Sequence, residues 1–183
     1  MIGFRLFETD HGFAAMAWSG RGVCGFRLPA ATPDATRRAI ERRWPEAVPA
    51  EPSPDVAGTI DAAKRYFAGE QIDFSDVPVE LGSVEPLFAS IYDQVRGLRW
   101  GETTTYGAIA RDLGLDPAAA RAVGQAMARN PVPLIIPCHR VLAAGGRIGG
   151  FSAPGGSDAK ARMLALEGVQ AGGVDASQAS FGF

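Results

Sequence analysis

Apolar and polar residues alternate along positions 2–28, broken at Asp10-His11-Gly12 and at Ser19-Gly20-Arg21-Gly22, and this period of two predicts an antiparallel meander. The period then lengthens. Residues 34–44 and 55–67 read as helices, separated by the proline-rich stretch Pro49-Ala50-Glu51-Pro52-Ser53-Pro54. From Val84 onward the pattern is one of short helices with tight connections, at 86–98, 105–113 and 117–129. Asp116 is placed to cap the last of these and Pro117 to occupy its first turn. The second and third, joined across Gly114 and Leu115, have the lengths and turn of a helix-turn-helix. An apolar run over 132–136 follows, then an expected hairpin around Ala144-Gly145-Gly146. A final helix is expected at 158–167, capped by Ser157 and stopped by Gly168. The pattern predicts an α/β chain: a small amino-terminal α/β domain with antiparallel strands (1–83), a mainly helical winged-helix domain (84–168) and a flexible carboxy-terminal tail (169–183).

Composition narrows the function classes. With 183 residues, 46% of them hydrophobic, the chain can bury a sizeable core. No stretch reaches the length of a membrane span and no basic-then-apolar leader opens the chain, so a cytoplasmic protein with no membrane partner is expected. Two cysteines (Cys24, Cys138) and two histidines (His11, His139) at unsuitable spacing predict no metal. The net charge of -2 is uneven: residues 1–84 carry 9 basic and 12 acidic side chains, residues 85–168 carry 9 and 7. That small basic excess in the second half permits DNA binding without arguing for it.

Chemistry concentrates in Asn130-Pro131-Val132-Pro133-Leu134-Ile135-Ile136-Pro137-Cys138-His139-Arg140-Val141. Pro137 biases Ile136 away from helix and sets Cys138 at a bend after an extended run, where a thiol and the next imidazole can approach. A neighbouring base lowers a thiol pKa enough for attack at neutral pH. On its own, a Cys-His dipeptide more often marks a buried structural cysteine.

The run Ala120-Arg121-Ala122-Val123-Gly124 through Pro137-Cys138-His139-Arg140-Val141, continued by Gly149-Gly150-Phe151-Ser152 and Leu166-Glu167-Gly168, resembles the signature of the O6-alkylguanine-DNA alkyltransferases, also called methylated-DNA–protein-cysteine methyltransferases. The resemblance spans roughly residues 84–168. It implies a ribonuclease H-like amino-terminal domain and a single-turnover transfer of the alkyl group from O6-alkylguanine, and from O4-alkylthymine, in double-stranded DNA to Cys138. No cofactor is involved and a monomer is implied. His139 would be the base, acting through a water, and Glu167 would orient it. Tyr106 would serve ring nitrogen 3 of the leaving guanine, and Asn130 would tie the recognition helix to the active-site turn. Arg121 would fill the stack vacated by the flipped base. Ala119, Ala120, Ala122 and Gly124 would let the helix approach the minor groove. Val141, Phe151, Ser152 and Ala153 would line the base pocket, the carbonyls of Cys138 and Val141 reading the exocyclic amine.

Three features depart from the common pattern of that family: Phe151 where tyrosine is frequent, Ala153 where glycine is frequent, and two extra residues between Ser152 and Glu167. A different class is a non-catalytic lesion sensor that binds alkylguanine; such proteins lack the cysteine that Cys138 supplies here. A winged-helix regulator with a redox cysteine and a cysteine hydrolase are further readings, the last without a recognisable oxyanion arrangement.

Overall fold

The computed structural model describes residues 1–150, 152–153 and 155–174. It is a mixed α/β chain that divides into two compact units, one of Met1–Gly82 with Pro131–Ile135, the other of Ser83–Asn130 with the chain from Ile136 on.

The first unit is built on strands β1 (Gly3–Thr9), β2 (Gly12–Ser19), β3 (Gly22–Ala30) and the short β4 (Val48–Pro49), in the order β3-β2-β1-β4. The first three are antiparallel neighbours, as their alternation predicts, while β4 adds parallel to β1. Helix α1 (Pro33–Arg43) starts where Thr32 Oγ1 accepts from Ala35 N–H at 3.2 Å, with Pro33 in its first turn. Helix α2 (Pro54–Phe67) starts in the same way from Ser53. Thr36 fastens α1 to the sheet by donating to the Phe13 carbonyl at 2.6 Å. Phe4, Ala15, Ala17, Cys24, Ile40 and Trp44 form the core beneath it. Trp44 lies so close to β3 that a Cβ on Gly25 would sit 2.3 Å from its ring. Gly25→Ala is therefore expected to cost about 1–3 kcal/mol by overpacking. Urea unfolding of the variant checks this, and an unchanged midpoint would show that the ring can move aside.

Residues 131–135, expected within the second domain, cluster with the first unit because Phe26 N–H donates to the Pro131 carbonyl at 2.9 Å. Within that segment Leu134, 2% exposed, has φ of 78°, a left-handed conformation that costs a non-glycine residue energy and must be held by its surroundings.

The second unit contains helices α3 (Pro86–Arg96), α4 (Tyr106–Asp112), α5 (Ala120–Ala128) and α6 (Gly156–Leu166). Tyr92 OH donates to the Ala126 carbonyl at 2.8 Å, joining α3 to α5. The 117–129 helix is two pieces, a 3-10 turn at Pro117–Ala119 capped by Asp116 and then α5. Strands β5 (Thr104–Thr105) and β6 (Val141–Leu142) pair in parallel, which sets the start of α4 beside the residues that precede β6.

Three expectations need correction. The hairpin around residues 144–146 does not form a ladder: a 3-10 turn lies there with Gly145 and Gly146 at positive φ, and β7 (Arg147–Ile148) pairs in parallel with β8 (Gly172–Val174). The final helix begins earlier, after Gly155 in a left-handed conformation, so Ser157 lies inside it and caps nothing. The 169–183 segment is not wholly a tail, since β8 falls in it and Val169 and Ala171 pack against Leu142, Ile148 and Leu164. Phe151, Pro154 and residues 175–183 lie outside the described residues. Among those described, no helix is long and apolar enough to cross a membrane.

Candidate active site

Pro137 shapes the turn that carries the thiol. Its φ of −78° and ψ of 65°, with Cys138 N–H donating to the Ile136 carbonyl at 2.7 Å, make an inverse γ-turn. One 3-10 turn follows over Cys138–Arg140, closed by Arg140 N–H on the Pro137 carbonyl at 2.9 Å. A strand would point successive side chains to opposite faces; this turn sends all three inward, leaving Cys138 3%, His139 0% and Arg140 6% exposed.

Glu167, just past the end of α6, organises the buried polar groups. Its Oε1 lies 2.6 Å from His139 Nε2, and Arg140 forks onto it, Nε to Oε2 at 2.8 Å and Nη2 to Oε1 at 3.0 Å. Gly101 N–H adds a fourth bond at 3.2 Å, and Arg140 Nη1 donates to the Leu98 carbonyl at 2.6 Å. Burial alone would raise the Glu167 pKa. The hydrogen bonds from His139 and Arg140 outweigh it and hold the carboxyl down at about 2. With Glu167 ionised, the short contact requires hydrogen on Nε2, so Nδ1 carries the imidazole lone pair. Burial lowers the His139 pKa against the pull of Glu167, which favours the neutral ring.

Two further groups act on the thiol. Burial pushes Cys138 up, and the Asn130 amide and the Lys160 ammonium oppose that shift. Asn130, just beyond the end of α5, also donates from Nδ2 to the Ile136 carbonyl at 2.8 Å. Lys160, on α6 and 1% exposed, donates to the Val141 carbonyl at 2.6 Å and lies 3.5 Å from Tyr106 OH. Burial lowers Lys160 to about 8, with Cys138 pulling the other way. Burial and Cys138 push Tyr106 up to about 12, so its hydroxyl keeps its proton at neutral pH.

The sequence reading missed Lys160 and the role of Arg140. A signal for Lys160 existed: Lys160, Met163, Leu164 and Glu167 share one helical stripe, and all four are buried. The Val141 carbonyl, expected to read the guanine amine, already accepts from Lys160, which leaves its second lone pair for that task.

The structure thus brings Cys138, His139, Glu167 and Asn130 together, with Tyr106 joined through Lys160. Ser152, exposed, instead donates to the Ala128 carbonyl at 3.0 Å, tying its loop to α5, and Ala153 is half-buried beside it. Phe151 lies outside the described residues. Arg121 is exposed near the start of α5, with Ala119, Ala120, Ala122 and Gly124 half-buried around it. A Cβ on Gly124 would meet no atom within 4 Å among the described residues, so their packing does not require glycine there.

Fold and site together define a class: a two-unit α/β protein whose second unit carries a buried cysteine beside a carboxylate-oriented histidine. Residues 86–169 match the family model described as the DNA binding domain of 6-O-methylguanine DNA methyltransferase. A methylated-DNA–protein-cysteine methyltransferase of Mycolicibacterium paratuberculosis is 34% identical over 167 residues, covering 91% of this chain and 93% of the relative. A DNA base-flipping protein of Thermus thermophilus is 42% identical over 109 residues, 60% of this chain and 71% of that protein. The crystal structure of Mycobacterium tuberculosis OGT in complex with DNA superposes with a TM-score of 0.71 at 31% identity, over 90% of this chain and 92% of that one. The chain belongs to the methylated-DNA–protein-cysteine methyltransferase family.

Proposed function

We propose that this protein repairs DNA by accepting the alkyl group of O6-alkylguanine irreversibly on Sγ of Cys138. The observation that carries the reading is the pair Cys138 and His139 on one buried turn, with the imidazole held 2.6 Å from Glu167. Nδ1 of His139 takes the thiol proton through a water, and the Glu167 carboxylate stabilises the imidazolium that results. Sulfur attacks the alkyl carbon and the carbon–O6 bond breaks. Its electron pair goes to the guanine, whose ring nitrogen 3 is met by Tyr106 OH. The product is a thioether, which water does not displace unaided, so each chain accepts one group.

A stacked base keeps its alkyl group out of reach of a sulfur that is 3% exposed, so the target base has to leave the helix. Arg121 fills the gap, and the small residues 119, 120, 122 and 124 allow α5 close to the minor groove. The open space at Gly124 is compatible with this, because no described residue occupies that face of α5. We read the first unit as ribonuclease H-like, supported by the strand order β3-β2-β1-β4 with its parallel edge, and the second as a winged helix, supported by α4 and α5 across the Gly114 turn. Domains of 1–83 and 84–168, a monomer and a cytoplasmic setting, where two unpaired thiols stay reduced, complete the reading.

The test is the intact mass of the protein after incubation with a duplex carrying one O6-methylguanine. One added methylene per chain, and never two, is expected. Tight binding with no gain in mass would favour the lesion-sensor reading.

Lys160 is a positioning residue in this scheme: its ammonium favours the Cys138 thiolate and sustains Tyr106 as a donor. Lys160→Met is expected to slow alkyl transfer roughly 10²-fold. Because Lys160 titrates near 8, the wild-type rate should fall as pH rises through that value, and this alkaline limb should vanish in the variant. Parallel pH profiles for the two proteins would remove Lys160 from the mechanism.

A further inference from the structure

The basic side chains of the first unit fall into two groups. Arg5, Arg21, Arg37, Lys64 and Arg65 each pair with a carboxylate: Glu51, Glu80, Glu41, Asp61 and Glu70 in turn. Arg27, Arg38, Arg42 and Arg43 form no ion pair among the described residues, and all four lie on β3 and α1. The four thus lie within 17 residues of a half that is net acidic.

Trp44 is the platform for this group. The Arg27 guanidinium lies 5.3 Å from its ring centroid and that of Arg43 5.4 Å from the same ring. The ring is 8% exposed and is set against Gly25, where even a Cβ would not fit, so it holds both guanidiniums in place. Burial, and then Arg43 and Arg42, lower the Arg27 pKa. Arginine stays protonated all the same, so the repulsion is not relieved by loss of a proton. Arg27 Nε is buried with no hydrogen-bond partner among the described residues. The negative end of α1 accounts for cations at 42 and 43 in its last turn, but not for a third arginine brought in from the sheet. The nearby acids do not neutralise the group: Glu41 reaches Arg37 at 3.9 Å, and Glu46 pairs with none of the four.

We propose that Arg27 and Arg43 on the Trp44 ring, with Arg42 next to them in the last turn of α1, form a phosphate-binding site on the first unit, and that its ligand is a backbone phosphate of DNA. Planar guanidiniums oriented by an aromatic ring suit the forked geometry of a phosphate, and a bound anion removes the repulsion among them. The site gives DNA a contact beyond residues 86–169, the stretch matched to the DNA-binding domain. The inference rests on the DNA binding given under the proposed function.

The test uses the full-length protein and an unmodified fluorescent duplex, with affinity measured by anisotropy from about 50 to 200 mM salt. Each phosphate contact adds about 0.9 to the slope of log affinity against log salt. Arg42→Gln/Arg43→Gln is expected to lower that slope by about 1 and to weaken binding several-fold, with Arg42→Lys/Arg43→Lys retaining most of it. Arg5→Gln/Arg65→Gln, which removes paired arginines of the same unit, should change neither. Methyl uptake by intact mass at saturating methylated duplex should be equal in all four proteins, which also shows that they are folded. An unchanged slope in the double glutamine variant with normal methyl uptake overturns the assignment of the site to DNA. Loss of methyl uptake by the wild type is a separate result that removes the proposed function instead. If inorganic phosphate at constant ionic strength raises the melting temperature of the wild type and not of the variant, while the DNA slopes agree, the site holds free phosphate and the DNA assignment falls.

Discussion

Cys138→Ala is expected to remain folded, to bind methylated duplex and to gain no mass, with Cys24 unable to take over. The two thiols are both buried, but their surroundings differ. Burial first and then the charge of Glu80 push Cys24 up to about 11. Little thiolate therefore forms on Cys24 at neutral pH. Cys24 packs in the apolar cluster with Phe4, Ile40 and Trp44. Cys138 meets the same cost of burial, yet Asn130 and Lys160 act against it and His139 is the next residue. The measurement is intact mass followed by peptide mapping. Methyl found on Cys24 in the variant would mean that accessibility, and not the base, selects the sulfur.

Glu167→Gln is expected to destabilise the protein by about 3–5 kcal/mol at neutral pH, because it leaves the Arg140 guanidinium buried without its counter-charge. It should also slow methyl transfer by roughly 10²-fold or more, since the imidazolium formed at His139 loses its anion. The pH dependence has a definite sign. The folded-state pKa of Glu167 is about 2, below the ordinary value of 4.5. Its contribution to stability is therefore complete above about 4.5 and is lost as pH falls through the folded value. A shift of this size corresponds to roughly 3 kcal/mol. His139 acts in the same direction from higher pH: its lowered pKa means the unfolded chain takes up the proton first, so stability falls as pH drops below the ordinary histidine value of 6.5. Urea unfolding from neutral pH to about pH 3 should show a steeper loss in the wild type than in the variant. Equal stability of the two proteins at pH 7 would mean that the buried network contributes nothing net.

Much of this protein is written in local sequence. The meander, α1 and α2, the helical texture after Val84 and the bend at Cys138 all follow from period, caps and proline chemistry acting over a few residues. The residues 138, 139 and 167 were legible through a family motif, not through periodicity; nothing in the spacing of His139 and Glu167, 28 positions apart, demands that they meet. The starts of helices were less secure. Ser157 is a good capping residue, but Gly155 takes the left-handed conformation two positions earlier and α6 begins there. The expected hairpin failed for a similar reason: β6 and β7 are two-residue strands whose partners, β5 and β8, lie elsewhere in the chain.

What the sequence determined by itself was the three-stranded meander, the approximate helices and the bend that carries Cys138, because hydrogen bonds between near neighbours and the fixed φ of proline decide those. Tertiary structure alone decided that Lys160 meets Cys138 and Arg140 meets Glu167, that residues 131–135 join the first unit, and that Arg27 meets Arg43 on one indole ring. Side chains far apart in the chain acquire such roles only when packing removes water from between them, and local sequence does not encode that loss of solvent.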